Sequence, residues 1–334
     1  MKKYRTNAIA LAILLGLGSA AAGAADYPRK NLQGIIQWGA GGATDNISRV
    51  ITPLAERHLG KKIILTNRTG GAGAIATAFV NSRPADGYTL MYGAEPVQLH
   101  KVLGLSDIDY DDFYPINIFA QGPSVIVANN NMPWNNLAEM IADIQANPGK
   151  YKTASSGAGT LQSLVNAMLK ESTGIEVISI PFDGEGPGVT ALQGGHLDFM
   201  PIGLTAASEH IRAGRVKVMA VVADEAMPGL AGVPPITDAI PGFDKYLPWG
   251  SFYGVFVKRD TPDEIKAKLT EAFRLAAEDE KFDQFIGNFH SIKLNLSGDE
   301  ADAYVQRWQS VASWLMQDIG EAKVSPETLG IPRP

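Results

Sequence analysis

A chain of 334 residues, 45% hydrophobic and 19% charged, has the composition of a globular protein rather than a disordered one, and its length suggests two domains of roughly 150 residues. The absence of cysteine excludes disulfides, thiolate metal sites, a thiol nucleophile and a lipidated N-terminal Cys. A formal charge of −6 with no basic stripe argues against nucleic acid as a partner.

The chain opens with Lys2, Lys3 and Arg5, followed by Ala8–Leu17, apolar apart from Gly16, and by the small residues Ala22-Gly23-Ala24. A basic start, a short apolar stretch and an A-x-A site predict a cleaved secretory signal over residues 1–24; the apolar run is shorter than the ~20 residues a membrane span needs. Cleavage after Ala24 leaves 26 basic against 35 acidic residues, a formal −9. The mature chain is therefore expected in the periplasm.

Strands and helices then alternate. Leu32–Trp38 reads as a strand ending in Gly39-Ala40-Gly41-Gly42, and Ile47, Val50, Ile51, Leu54 and Leu59 recur at helical spacing. Thr44 or Asp45 is placed to cap that helix and Gly60 to stop it. Lys61–Thr66 predicts a second strand, Gly70-Gly71-Ala72-Gly73 leads into a small-residue helix reaching Asn81, and Tyr88–Tyr92 predicts a third strand. This βαβαβ order implies a parallel sheet covered by helices. Val125–Ala128 and Phe252–Val257 are apolar runs that bracket a second alternation: helices at Leu137–Gln145, Leu161–Ser172, Gly188–Gly194 and Ala206–Ala213, and strands at Lys152–Ala154, Val177–Ile180, Leu197–Met200 and Val216–Val222. Two helical stretches, Asp263–Ala277 and Asp299–Ile319, are expected to complete the chain. An α/β block inserted in another predicts two lobes, each a mostly parallel sheet flanked by helices, joined by two crossovers that act as a hinge: residues 25–124 with 251–334 as one lobe and 125–250 as the other.

Ligands of open α/β sheets bind beyond the C-terminal ends of strands. The first such loop, Trp38, Gly39, Ala40, Gly41, Gly42, Ala43, Thr44 and Asp45, joins a strand to a helix, where main-chain N–H groups and the helix dipole favour an anion. Asp45 opposes that anion unless it is turned onto backbone amides. Ser155, Ser156, Gly157 and Thr160 form the matching loop of the other lobe, so a two-carboxylate ligand could be gripped at both ends. Ala94 and Glu95 after the third strand, and Phe182, Asp183, Leu204 and Thr205 after later strands, complete the candidate lining. Gly71-x-Gly73-x-x-Ala76 matches a dinucleotide fingerprint weakly, without the acidic residue ~20 positions on. His58, His100, His196, His210 and His290 show no metal-ligand spacing, and no G-x-S-x-G elbow exists. Asp107, Asp109, Asp111 and Asp112 read as a solvated loop, lacking the glycine and terminal Glu of a calcium loop. No catalytic residue, metal or cofactor is nominated.

The order Tyr27-Pro28, Trp38-Gly39-Ala40-Gly41-Gly42-Ala43-Thr44-Asp45, Asn67-Arg68-Thr69-Gly70-Gly71-Ala72-Gly73, Pro84-Ala85-Asp86-Gly87-Tyr88, Asn147-Pro148-Gly149-Lys150, Ile180-Pro181-Phe182 and Leu192-Gln193-Gly194-Gly195 resembles the extracytoplasmic solute receptors of tripartite tricarboxylate transporters, the Bug family. The resemblance covers essentially the whole mature chain. It implies a two-lobed (type II) periplasmic binding protein fold that captures an organic carboxylate, foremost a dicarboxylate, without catalysis. The ligand would be passed to a permease of one large and one small membrane subunit. It also implies a ligand carboxylate at Gly39, Ala40, Gly41, Gly42 and Thr44, with Trp38 where Phe is usual, and ligand contacts from Ser155, Ser156 and Thr160. Ser163, Asp183 and Ile202-Gly203 stand where His, Lys and Asp-Asn are common. The last departure removes an acid able to meet a ligand ammonium and lowers the expectation of amino-acid ligands. Two rivals remain open: an exported α/β enzyme using a nucleotide at the Gly71 loop, and a binding protein of an ABC transporter.

Overall fold

The structure, a computed structural model, describes residues 27–227, 230–247, 249–289 and 291–334; the expected signal segment and His290 lie outside the described residues. In chain order the elements are β1 (Leu32–Ile36), α1 (Ala43–Leu59), β2 (Ile63–Asn67), a 3-10 turn (Gly71–Gly73), α2 (Ala74–Asn81), β3 (Thr89–Ala94), a 3-10 turn (Glu95–Leu99), β4 (Phe113–Gly122) and β5 (Ser124–Ala128). There follow α3 (Leu137–Ala146), β6 (Lys152–Ser155), α4 (Leu161–Thr173), β7 (Ile178–Pro181), α5 (Glu185–Gln193), β8 (Phe199–Gly203), α6 (Leu204–Arg212), β9 (Lys217–Val221) and α7 (Ile236–Ala239). The chain ends with β10 (Ser251–Lys258), α8 (Asp263–Ala277), α9 (Glu280–Asn288), β11 (Ile292–Leu296) and α10 (Gly298–Asp318).

These strands form two sheets, ordered β11-β4-β10-β3-β1-β2 and β7-β6-β8-β5-β9. The fold is the two-lobed α/β architecture, with one correction: the sheets are mixed, not mostly parallel. Parallel pairing is confined to β2-β1-β3 and to β7-β6-β8. The reason is topological. β4 leaves the first lobe and β10 returns to it, so the two must run in opposite senses, and they pair antiparallel. β5 enters the second lobe and β9 leaves it, and these also pair antiparallel. Only strands linked by a crossover helix run the same way.

The apolar stripe of α1 (Ile47, Ile51, Leu54, Leu59) is buried, and the helix lies along α8 with Arg57 paired to Asp279 at 2.9 Å. Burying one such Leu or Ile side chain stabilises by about 1.5–3 kcal/mol. One apolar cluster continues from Ile47 and Ile51 through Val125 and Val127 to Val189 and Met200, so both lobes share a core.

Among the elements that escape the sequence pattern are β4, α9 and β11. β4 is the longest strand among the described residues, but it is buried on both faces and so lacks alternation, and it carries Pro115 where a sheet-breaking residue argues against a strand. Pro115 sits beside the register shift between β4 and β10, where a missing N–H costs least. α9 and β11 are short and divide the stretch that reads as a connection; α9 is fixed by the Asp279 cap on Lys281 N–H and by buried Phe282 and Ile286.

Candidate ligand site between the lobes

The glycine loop after β1 is built around Asp45. The helix N-cap is Gly42, not Thr44 or Asp45. Asp45 instead accepts the Gly41 N–H at 3.0 Å, the Asn67 amide at 2.8 Å and the Arg49 guanidinium at 2.8 Å. Burial raises its carboxyl pKa, but these hydrogen bonds and the Arg49 charge outweigh that and hold it below the usual value. Its charge is thereby turned away from the cleft. Gly41 has φ of +81°, the left-handed region that lets the loop bend toward α1.

The second lobe closes directly onto this loop. Gly39 N–H donates to the Asp183 carbonyl at 2.8 Å, and Ala43 N–H donates to Glu185 Oε2 at 3.2 Å. The other Glu185 oxygen accepts Gly203 N–H at 2.5 Å, at the start of α6. The N-terminus of α1 therefore does receive a carboxylate, but it is the protein's own. Gly186 permits the approach: a Cβ there would lie 2.1 Å from the Ala40 carbonyl oxygen and 3.0 Å from Gly42 N.

Beside this seam lies a cavity of about 40 Å³, room for a few water molecules, lined by Trp38, Gly42, Ala43, Thr44, Ala94, Glu95, Pro96, Ser156, Thr160, Leu161, Gln162, Gly184, Glu185, Ser251 and Tyr253. Of the residues expected at the site, Trp38, Gly42, Thr44, Ala94, Glu95, Ser156 and Thr160 line it. The others take structural work around it: Gly39 and Asp183 make the inter-lobe bond, Gly41 and Asp45 hold the loop, and Ser155 accepts Phe182 N–H on its carbonyl. Ala40 faces Gly186, Leu204 N–H donates to the Pro123 carbonyl, and Thr205 meets the Ser291 hydroxyl.

Four side-chain atoms of the lining are buried without a hydrogen-bond partner: Glu95 Oε2, Ser156 Oγ, Gln162 Nε2 and the Tyr253 hydroxyl. Buried polar groups are nearly always paired, so four around one cavity mark a place prepared for a polar molecule. In the first turn of α4 the Ser163 N–H is capped by the Thr160 hydroxyl, while Leu161 and Gln162, which line the cavity, have main-chain N–H groups without intrahelical partners. Glu95 is 3% exposed; its Oε1 accepts the Ser251 hydroxyl at 2.7 Å, and the main-chain N–H groups of Glu95 and Phe252 also favour its charged form. Burial, with the Glu185 charge adding to it, pushes the Glu95 carboxyl up to about 7 against the Ser251 bond; burial raises the Glu185 carboxyl as well. Glu185 follows β7 in the Gly-Glu-Gly-Pro-Gly run and Gln162 stands in the first turn of α4, both visible in sequence as loop-end residues. Ser251 and Tyr253 come from β10, which only the tertiary topology brings here.

The remaining motifs are structural. Ala72 of the Gly71 loop packs against Gly157 of the second lobe and its carbonyl meets His100 Nε2 at 2.9 Å. Asp109 is buried, not solvated: it caps the turn Tyr110–Asp112 and pairs with Lys101 at 2.9 Å. Among the described residues no group of three metal-ligating side chains occurs, and no helix is long and apolar enough to cross a membrane.

The model of the tripartite tricarboxylate transporter family receptor matches residues 47–320. Protein BugT of Bordetella pertussis is 26% identical over 322 residues, spanning 93% of this chain and 97% of its own. The solved periplasmic binding protein BugD superposes with a TM-score of 0.84 at 25% identity, over 89% of this chain and 99% of its own. MatC from Rhodopseudomonas palustris, solved with malate, superposes with a TM-score of 0.80 at 24% identity, over 88% of this chain and all of its own. A family match over so much of the sequence, on a two-lobed fold shared with periplasmic binding proteins, settles the class as solute receptor and not enzyme. The chain belongs to the receptor family of tripartite tricarboxylate transporters, among the Bug proteins.

Proposed function

We propose that this protein is a periplasmic receptor that closes its two lobes around a small organic carboxylate and delivers it to the large and small membrane subunits of a tripartite permease. The observation that carries this reading is the cavity at the lobe seam, where the first turn of α4, Ser156 and Gln162 present donors without partners. The malate held by MatC is consistent with a carboxylate as ligand. The carboxylate is assigned to the α4 end, with Trp38 and Leu161 as apolar walls, because Glu185 already takes the α1 end. A dicarboxylate, expected from two facing loops, would have to displace Glu185 to use both ends. About 40 Å³ is too little for such a molecule, so the lobes part to admit it and close again.

Calorimetry on the mature chain tests this. Micromolar binding, about −8 kcal/mol, is expected for a member of a carboxylate panel, since several charge-assisted hydrogen bonds of about 1.5–3 kcal/mol each exceed the ordering costs. Because the donors are local amides and hydroxyls on a chain of formal charge −9 after cleavage, salt should weaken binding only modestly. A steep loss with ionic strength would contradict the local-donor account, and no binding across the panel would contradict the receptor reading.

A further inference from the structure

We propose that the carboxylate taken by this receptor also carries a protonated amine, bound by Glu95 on one lobe while its carboxylate lies against the first turn of α4 on the other. The inference rests on the receptor reading above and adds the chemistry of the ligand's second end. The lining holds two carboxyl groups, Glu95 and Glu185, and no Lys, Arg or His. Glu185 has both oxygens on main-chain amides, from Ala43 and Gly203, and so is already engaged. Glu95 has one oxygen on Ser251 and the other buried and unpaired. An ionised carboxylate oxygen accepts, so what completes Glu95 in that state must donate; Gln162 Nε2 donates, so what completes it must accept; the unpaired Tyr253 hydroxyl can do either and so suits either end.

The ligand therefore offers a donor at one end and an acceptor at the other. Charge selects between the possible donors. A second carboxylate would stand beside two acids with no cation near, in a wall that screens poorly, whereas an ammonium stands between two partners of opposite sign. A hydroxyl would satisfy the oxygen but leave the acids without a counter-charge.

Calorimetry with mature protein and ligands matched in chain length tests the proposal: amino monocarboxylates, hydroxy monocarboxylates, dicarboxylates and unsubstituted monocarboxylates. At the best chain length an amino acid, with its amine at either position, should bind at least about tenfold tighter than its dicarboxylate and hydroxy counterparts. Dicarboxylates or hydroxy acids binding as tightly would overturn the inference and leave the carboxylate receptor standing; no binding in any series would overturn both.

In Glu95→Gln the preference for amine over dicarboxylate should fall about tenfold, and an unchanged preference would remove Glu95 from the account. Should that variant not fold, the wild type answers through pH. The groups that face Glu95 are Glu185 from α5, Tyr253 from β10, Tyr110 and the α10 residue Tyr304; the three tyrosines are all raised above their ordinary value and do not titrate near neutrality. Glu95 gains its proton as pH falls through about 7, so affinity for an amine that stays protonated should drop about tenfold from pH ~8 to pH ~5.5. Affinity that rises over that interval would instead match a dianion taking up a proton, and would overturn the proposal.

Discussion

Replacing Gly186 by valine is expected to abolish ligand retention while leaving the fold intact. The residue lies in the first turn of α5, where any L-residue fits the backbone and where a side chain removes the penalty of about 0.5–1 kcal/mol that glycine imposes within a helix. Each lobe should therefore still fold, the melting temperature falling by no more than the lost seam bonds contributed. What the variant loses is the seam: its Cβ would fall 2.1 Å from the Ala40 carbonyl oxygen and 3.0 Å from Gly42 N, both main-chain atoms of a loop pinned by Asp45. Neither side can give way by a rotamer change. The lobes are held apart, the Gly39 to Asp183 and Ala43 to Glu185 bonds are lost, and affinity should fall by about a hundredfold or more, two charge-assisted or main-chain bonds being worth about 3 kcal/mol together. A valine variant that binds as the wild type does would show that ligand capture needs no closure at this seam. Gly41 makes the control. A Cβ there meets nothing nearer than 4.0 Å, so alanine costs only the ~1–2 kcal/mol of a left-handed residue and should affect stability more than closure.

The second large effect concerns Glu185. Its carboxylate ties the second lobe to the N-terminus of α1 through Ala43 N–H, a charge-assisted bond worth about 1.5–3 kcal/mol. Glu185→Ala removes that bond and should shift the protein, without added ligand, from closed to open by about ten- to a hundredfold, visible in small-angle scattering as a larger radius of gyration. Because only the closed form completes the site, affinity should weaken by a similar factor. Glu185→Gln keeps an acceptor for Ala43 and should recover part of both losses. An alanine variant as compact as the wild type would mean that the apolar core shared by the two lobes, not this carboxylate, sets the closed state.

Much of this architecture is legible in the residues. The apolar stripe of α1, the Gly60 stop and the αβ alternation through α4–β7–α5–β8 appear as spacing, because amphipathic helices and loop glycines leave local signatures. β4 does not, because a strand buried on both faces has no alternation and its Pro115 is tolerated only by a register shift set by β10. The site divides in the same way. Its loops after β1 and β6 can be named from sequence, since strand–glycine–helix junctions announce themselves. That Asp45 turns inward to Gly41 was conditional on geometry, and that Glu185 crosses to α1 depends on the second lobe folding over it. Glu95 can be placed at the end of β3 from sequence, but the absence of any Lys, Arg or His from its cavity becomes visible only when β10 and α5 are packed around it.

The most direct measurement is a crystal structure of the mature protein grown with the tightest-binding member of the amino-acid series. The molecule should lie between the lobes, its carboxylate within about 3.2 Å of the α4 first-turn amides, Ser156 or Gln162, and its ammonium on the free oxygen of Glu95. A ligand seated outside the seam, or one inside it with its carboxylate turned to Glu95, would contradict this placement.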